Sequence, residues 1–548
     1  MGTNISKQKR DDLIAKIKDI RTFIAAAPQD ENTGALLTYL NELETEVKAK
    51  KYGLVFEEHR EGIDDTLATH TPVFTEEKDL FIENGEKINF LIEGDNLASL
   101  KLLERTHKGA IGLIYIDPPY NTGSKDFIYD DTFVDKTDLF SHSKWLSFMR
   151  PRLIIMKNLL NNENGVIFIS VDDNEQAALK LMCDEIFGEN CFVTDAVWRS
   201  SDNSNNNSLK FSEDYNHTLI YAKNPRWKPN FIDDPNKRKH FKNPDNDPRG
   251  SWFDGNPVNN PGWRPNLQFD ITAPNGNIIK HPKNGWRWSM ETIEEKLETG
   301  ELRFSEDGTR LIRRTYLNEM GGLTPSNLWI ELEATGHTRG AKYDLKKIFP
   351  EIKVTDLFST PKPTLLIEYI IQLATDDNSV ILDSFAGSGT TGHAVLKYNA
   401  ANKNSNRRFI LCTNNENNIC RDVTYERIKR VIATDSYDAS LKYYKVDYVP
   451  INERMYYEYA DELLIHIREL VELENGINFT GNAEIAIVLN DDELDAFIRS
   501  IEQYEKCQRL YRGHDILLSA AQEAKLQERN IIVCVIPDYY YRELEGGK

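Results

Sequence analysis

Asp117-Pro118-Pro119-Tyr120 follows directly on the apolar run Ile111–Ile116. Two consecutive prolines fix the backbone and remove two amide donors, which leaves the carbonyl oxygens and the Asp117 carboxylate as a rigid set of acceptors. Such a set suits an amino group with two N–H donors. An exocyclic base amine is one, and it is a poor nucleophile because its lone pair is delocalised into the ring. Hydrogen bonds from both N–H groups to the Asp117 side chain and the Pro118 carbonyl would favour a tetrahedral nitrogen and free that lone pair. Tyr120 supplies a ring to stack on the base. The bland reading, a stiff turn after a strand, accounts for neither the position of these residues nor the motif that accompanies them.

That second motif runs from Val380 to Gly392 and reads Val-Ile-Leu-Asp-Ser-Phe-Ala-Gly-Ser-Gly-Thr-Thr-Gly. A strand leads into small residues that let the backbone approach a ligand, and a helix follows whose N-terminal amides face it. Gly387, Gly389 and Gly392 also satisfy G-x-G-x-x-G, which makes a dinucleotide a competing ligand and an NAD-dependent oxidoreductase a competing function. No Lys follows the glycines, so a P-loop is excluded.

The elements that must hold these motifs alternate. Strand-like runs at Ile88–Ile92, Ile111–Ile116 and Gly165–Val171 end in acidic residues at Asp95, Asp117 and Asp172-Asp173, with helical patterns over Leu97–Glu104 and Trp145–Leu160 between them. After a long interruption come a helix over Pro363–Ala374, a strand over Val380–Asp383, a helix from Thr390 and a strand over Phe409–Thr413. The pattern predicts an α/β domain with a parallel sheet, helices on both faces and an insert. Both motifs then lie at the C-terminal ends of strands, where open α/β sheets bind ligands. The predicted divisions are a helical N-terminal region (1–80), the first part of the α/β domain (81–194), the insert (195–345), the second part (346–435) and an acidic C-terminal domain (436–548). In the first, Leu13, Ile17, Ile20 and Ile24, then Leu36, Leu40, Leu43 and Val47, are spaced as a two-helix hairpin with one apolar stripe per helix. Residues 52–85 read as irregular, and Ser200–Ser208 as a mobile loop.

The length of 548 residues, with 40% hydrophobic and 28% charged, excludes a single small module or a disordered chain. No apolar run reaches the length of a membrane span and no signal pattern opens the chain, so a cytoplasmic protein without membrane contact is expected. Six scattered cysteines lack zinc-ligand spacing and read as reduced thiols, and no metal site is expected. The net charge of −20 argues against a nucleic-acid partner until it is divided by segment. Residues 1–80 are net −5 and residues 436–548 net −10, whereas Lys223–Arg287 holds 12 basic against 6 acidic residues together with Trp227, Trp252, Trp263, Trp286 and Trp288. Cations alternating with aromatics suit phosphate contacts and base stacking. A loop-rich domain with its own small aromatic core fits that stretch equally well.

Together the two motifs resemble those of the amino-methyltransferases of DNA, which use S-adenosyl-L-methionine and carry D-P-P-Y and F-x-G-x-G, here Asp117–Tyr120 and Phe385–Gly389. Their order, with the recognition segment between them, is similar to the beta-class permutation. Within that class the runs Asp117–Gly123, Trp145–Leu153, Ile167–Glu175, Asn243–Gly250 and Pro361–Pro363 are similar to the modification subunits of type III restriction-modification systems. The likeness covers roughly residues 85 to 450, and extends more loosely through Ile536–Tyr540. It implies a Rossmann-like, circularly permuted S-adenosylmethionine-dependent methyltransferase fold with an inserted target-recognition domain and helical N-terminal and α+β C-terminal additions. It further implies that Asp383, Phe385, Ala386, Gly387, Gly389 and Thr390 line the cofactor, that Asp95 and Asn96 reach its adenosine end, Lys362 its methionine end and Glu416 the ribose hydroxyls. Asp117, Pro118, Pro119 and Tyr120 would hold the target base, with Asn121 beside them on the DNA side. In the insert, Arg249, Arg264, Arg287, Arg313 and Arg314 are candidate base or phosphate contacts, phosphate being the commoner role for any one of them.

The activity the resemblance implies is N6 methylation of an adenine flipped out of double-stranded DNA. Cytosine N4 methylation is the near alternative, since both amines present the same donors. A homodimer able to assemble with a nuclease and helicase restriction subunit is also implied, with the N-terminal hairpin and the acidic C-terminal region as candidate contacts. A solitary methyltransferase is the alternative.

Overall fold

Short runs of Ile, Leu, Val and Phe, too brief for helices and apolar at successive positions, form the centre of a ten-stranded sheet. The computed structural model describes residues 5–26, 33–48, 56–123, 128–129, 132–133, 138–204, 211–232, 238–451, 466–478, 484–513 and 516–536. Residues 205–208 of the Ser200–Ser208 stretch, and 537–540, lie outside the described residues. In chain order the strands of the sheet are β1 (His70–Glu76), β2 (Ile88–Glu93), β3 (Leu113–Ile116), β4 (Val166–Val171), β5 (Phe192–Arg199), β6 (Tyr215–Ala222), β7 (Leu328–Trp329), β8 (Val380–Asp383), β9 (Arg408–Thr413) and β10 (Ser440–Pro450). Across the sheet they lie in the order β1-β10-β2-β9-β8-β3-β4-β6-β5-β7. From β10 to β4 all neighbours are parallel, while β1 and β6 add antiparallel on either side.

Every residue of β2, β3 and β4 is buried, as parallel strands covered on both faces require. Successive side chains enter opposite layers. Ile114, Ile116, Ile167 and Ile169 share a core with helices Asn96–His107, Ser141–Leu159 and Gln176–Phe187. Leu113, Tyr115, Val166 and Phe168 share the other core with helices Thr364–Ala374, Thr390–Ala401 and Glu426–Asp435. The molecule is an α/β fold with a doubly covered sheet, as the alternation of elements predicts.

The boundaries differ from the sequence reading in three places. Residues 52–85 are not irregular throughout: helix Gly62–Thr69 leads into β1, which pairs with β10 from His70↔Pro450 to Glu76↔Tyr444. Pro72 is compatible with this strand because β1 lies at the sheet edge. The expected insert boundary at 195 falls inside β5, and β5 and β6 belong to the sheet; the chain leaves it after Ala222 and returns at β7. Polar residues such as Asn216, His217 and Thr218 obscure these strands in the sequence. The boundary at 436 precedes β10, which completes the sheet, and helix Ile467–Asn475 packs into the first core. There Lys442, 1% exposed, pairs with Glu76 at 2.9 Å and Glu472 at 2.6 Å. Beyond it a three-stranded parallel sheet, Ile485–Val488, Arg509–Arg512 and Ile532–Val535, has its own core around Leu494, Phe497 and Leu510.

The insert builds a small core from Ile271, Trp286, Ile293, Leu302 and Leu311, beside an antiparallel sheet of Trp252–Asn256, Leu302–Phe304 and Leu311–Tyr316. Helices Ile5–Ala26 and Thr33–Lys48 form the expected pair, burying Ile17 and Leu40 and leaving Leu13, Ile20, Phe23, Leu36, Tyr39 and Leu43 exposed. Among the described residues no helix is long and apolar enough to cross a membrane. All six cysteines are free thiols, five of them buried.

Candidate active site

Strands β3 and β8 are hydrogen-bonded parallel neighbours, in register at Leu113↔Ile381 and Ile114↔Leu382. From β3 the chain proceeds to β4 on one side, and from β8 to β9 on the other. The crevice at their C-terminal ends is therefore a topological switch point, the usual ligand position in such sheets. Asp383 ends β8 and Asp117 directly follows β3, so the sheet brings together two motifs that are far apart in sequence.

At the first motif the Tyr120 hydroxyl donates to Asp117 Oδ1 at 2.8 Å. Lys362 Nζ donates to both Asp117 oxygens at 2.6 Å and to the Tyr120 hydroxyl at 2.9 Å. The prolines leave carbonyls with different duties. Pro119 accepts from Trp145 Nε1 at 2.6 Å, which ties the turn to helix Ser141–Leu159, whereas among the described residues no group donates to the Pro118 carbonyl. Burial first, and then the Asp117 charge, push the Tyr120 phenol well above its usual range, so Tyr120 stays a neutral donor.

Asn121 ends the turn in the left-handed region at φ 57°, which Asn tolerates better than most residues. It is buried, and its amide donates to Glu175 Oε1 at 2.6 Å. The Glu175 carboxylate is itself fully buried, with His142 Nδ1 2.7 Å from the same oxygen. Burial raises the Glu175 pKa, against the pull of Asn121 and His142. Asn121 thus faces inward and shapes the turn, contrary to the expectation that it lies on the DNA side.

In the second motif Asp383 organises the glycine turn. It accepts from the Phe385 amide at 2.9 Å and from the Thr391 hydroxyl at 2.5 Å. Burial raises its pKa to about 7; the two hydrogen bonds oppose the rise and the Asp117 charge adds to it. Gly389 caps helix Thr390–Ala401 at φ 76°, and a Cβ there would lie 3.1 Å from the Thr424 methyl. At Gly392 a Cβ would meet Ile428 and Leu411 at 2.9 Å. These two glycines therefore serve close packing within the chain, where the sequence reading gave the small residues to ligand approach. Arg427, fully buried, donates to the Ser388 carbonyl at 3.1 Å and to Thr390 Oγ1 at 2.8 Å. Phe385 meets the edge of Phe148 at 5.9 Å, and Ala386 N donates to the Cys412 carbonyl at 3.1 Å.

Four other expected cofactor contacts have structural partners. Asp95 Oδ1 caps helix Asn96–His107, accepting from Leu97 N at 2.8 Å and Ala98 N at 3.1 Å. Asn96 Oδ1 accepts from Arg152 at 2.5 Å, and that fully buried arginine also grips Glu61 at 2.6 Å. Lys362, expected at the methionine end of a cofactor, lies instead on Asp117. Glu416 is exposed just beyond the end of β9, where it accepts from Asn414 at 2.8 Å.

The insert arginines divide into two kinds. Arg249 is held by Asp247 and lies 4.3 Å from the Tyr316 ring. Arg314 bonds to Asp245 and Asp247 and stacks on Trp252 at 4.0 Å, while Arg313 pairs with Glu301 at 3.0 Å. Arg264 and Arg287 are exposed. So is Trp263, at 63% the one tryptophan on the open surface among the described residues. Arg264 N bonds to the Asn284 carbonyl at 3.1 Å and Arg287 N to the Val258 carbonyl at 2.8 Å, which gathers Trp263, Arg264, Lys283 and Arg287 at one corner of the insert.

Sequence reasoning missed Glu175, Trp145, Arg152 and Arg427 as supports. The first three fall within runs picked out by resemblance, but their partners are distant in the chain, and nothing local marks Arg427.

A family model described as DNA methylase matches residues 111–424. The chain is 33% identical over 403 residues to the StyLTI type III restriction-modification enzyme Mod subunit of Salmonella typhimurium, covering 65% of this chain and 59% of that protein. It is 32% identical over 386 residues to the EcoP15I Mod subunit of Escherichia coli, covering 59% and 58%. It is 29% identical over 345 residues to the type II methyltransferase M.KpnI of Klebsiella pneumoniae, covering 59% and 79%. The matched region thus spans under two thirds of the length of either Mod subunit.

Proposed function

Because the chain belongs to the N6/N4 DNA methylase family, we propose that it transfers a methyl group from S-adenosyl-L-methionine to the N6 amine of an adenine in double-stranded DNA. The observation that carries this reading is the acceptor cluster: a Pro-fixed turn presents the Asp117 carboxylate and the Pro118 carbonyl beside Tyr120 at a sheet switch point. The donor set beside it suits the cofactor, which combines an apolar ring, a cation and a carboxylate. Phe385, Ala386, Gly387 and Thr390 would hold it, with Asp95, Asp383 and Glu416 as the charged groups nearby. When bound it supplies an electrophilic methyl.

The target base must leave the helical stack, because its amine is otherwise out of reach. Tyr120 offers a ring to the extruded base and thereby offsets part of the cost of unstacking, about a few kcal/mol. Asp117 and the Pro118 carbonyl take the two N–H groups, which aims the nitrogen lone pair out of the ring plane. Asn121, Glu175 and Trp145 keep the turn from relaxing, so the acceptors act mainly by position. Adenine is preferred to cytosine here on the Asp-Pro-Pro-Tyr form of the motif.

DNA would lie across the insert, with the corner of Trp263, Arg264, Lys283 and Arg287 supplying an aromatic face and phosphate contacts. Arg249, Arg313 and Arg314 hold the insert together instead. The exposed face of the N-terminal hairpin and the small C-terminal sheet are assigned to contacts with a second copy or with a restriction subunit. The two methylase segments, the insert and both ends then form separate working parts of one modification and specificity subunit.

The deciding experiment incubates the purified chain with unmethylated DNA and S-adenosyl-L-methionine, digests the DNA to nucleosides and weighs them. N6-methyladenine supports the proposal, N4-methylcytosine transfers it to the other amine, and unmodified nucleosides reject it.

A further inference from the structure

Lys362 joins the two motifs. Its carbonyl accepts the Thr390 hydroxyl at 3.2 Å on the glycine-turn side, and its ammonium grips Asp117 and Tyr120 on the other. Pro361 and Pro363 flank it and fix its backbone, so the four-carbon stem is the part left able to swing. The lysine is 9% exposed, and Nζ lies 5.0 Å from the centre of the Tyr120 ring.

An ammonium and a base amine are ligands of one kind, each a nitrogen that presents two or more N–H donors. The Asp117 oxygens assigned to the target amine are the ones the lysine holds. One carboxylate cannot offer the same lone pairs to both nitrogens.

We propose that the Lys362 ammonium is a stand-in for the target amine: it keeps Asp117 and Tyr120 aligned as acceptors, and a base enters by taking its place on Asp117. The proposal rests on the amino-methyl-transfer reading above. Three consequences follow from exchange of one nitrogen for another. The Asp117 carboxylate is never left without N–H donors in the crevice, which would be unfavourable. Apparent affinity for DNA is lowered by the fraction of molecules in which the lysine holds the site. A base with a carbonyl at the position of the target amine presents an acceptor there in place of the N–H pair that takes over from the ammonium, so the same lysine discriminates against keto bases.

The test compares the full-length wild type, Lys362→Met and Lys362→Arg on unmethylated amplified plasmid DNA with tritiated S-adenosyl-L-methionine. Cofactor binding is measured separately by calorimetry. Removing the competitor should lower the KM for DNA in Lys362→Met by at least about threefold, and the two-pronged grip of Lys362→Arg should raise it by a similar factor. Cofactor affinity in Lys362→Met should stay within about twofold of wild type. A KM for DNA that is unchanged or higher in Lys362→Met overturns the proposal, as does a large loss of cofactor affinity in that variant, which would assign the lysine to the cofactor. If Lys362→Arg does not fold, Lys362→Gln replaces it; having an uncharged amide with two N–H donors, it should give a KM between those of Lys362→Met and wild type, and a KM above wild type overturns the proposal. A wild type that transfers no methyl to DNA rejects the underlying activity instead, and is seen before any variant is compared.

Discussion

Asp117 and Asp383 stand at the ends of adjacent parallel strands, and the charge of Asp117 adds to the burial that brings the Asp383 pKa to about 7. Lys362, which grips Asp117, opposes that rise. The two motifs therefore share one electrostatic environment, and a change at one is felt at the other.

The first prediction concerns pH. Asp383 titrates at about 7 in the fold against 3.8 for the free group, so the folded state holds its proton more tightly than the unfolded chain. The stability this contributes is present in full below about pH 4 and is lost as pH rises through 7. Asp383→Asn copies the neutral form and lacks this dependence. The melting temperature of wild type relative to Asp383→Asn should accordingly fall between pH 5 and pH 8, checked by thermal denaturation; a constant difference would contradict the assignment.

Truncating the acceptors should stop the chemistry without unfolding the chain. Asp117→Ala and Tyr120→Ala are each expected to lower methyl transfer by about a hundredfold or more, the usual scale for removing a preorganised polar contact. Tyr120→Phe keeps the ring and loses only the hydroxyl, and should retain more activity than Tyr120→Ala. Tritium incorporation into DNA measures the activity, and circular dichroism verifies the fold.

Glu175 is expected to act through Asn121. Glu175→Ala leaves a buried amide unpaired, at about 1–3 kcal/mol of stability, and frees the turn that carries Asp117. Glu175→Gln keeps an acceptor and should fall between wild type and Glu175→Ala in both melting temperature and kcat. Equal activity in all three proteins would separate this pair from the catalytic turn.

In the insert two kinds of arginine should give two phenotypes. Arg314→Ala removes the arginine that bridges Asp245 and Asp247, and should make the insert more susceptible to limited proteolysis. Arg264→Ala or Arg287→Ala should leave the fold intact, weaken DNA binding and reduce the slope of log affinity against log salt by about 0.9 each. Trp263→Ala should weaken binding with no change in that slope, because stacking displaces no counterions. Fluorescence anisotropy across a salt series distinguishes these outcomes.

Deleting residues 1–50 removes the exposed apolar face of the helical hairpin. If that face holds a second copy, sedimentation should show a smaller assembly than the full chain forms. An unchanged mass would place the contact elsewhere.

The elements around the site were legible in the sequence because their causes are local. Two prolines stiffen a turn whatever surrounds them, a left-handed Gly389 admits few substitutes, and fully apolar runs such as Ile111–Ile116 must be buried on both faces. From these causes came the α/β alternation, the two motifs at strand ends, the helical hairpin and the split of charge between the acidic ends and the basic insert. Strands β1, β5, β6, β7 and β10 were missed where polar residues interrupt the apolar pattern, where the strand is very short or where it follows a composition change.

What only the tertiary structure decided is which partner each side chain meets. Lys362 lies against Asp117, Asn121 turns inward to Glu175, and Arg314 reaches Asp245 and Asp247, because sheet pairing and the fold of the insert bring distant residues within hydrogen-bonding range. A charged or polar side chain has no assigned role until its neighbours are known: the same arginine is a phosphate contact on an open surface and a structural ion pair beside two carboxylates. Sequence by itself determined the kinds of groups available and the rigidity of the turns that present them, while packing determined which of those groups face the crevice.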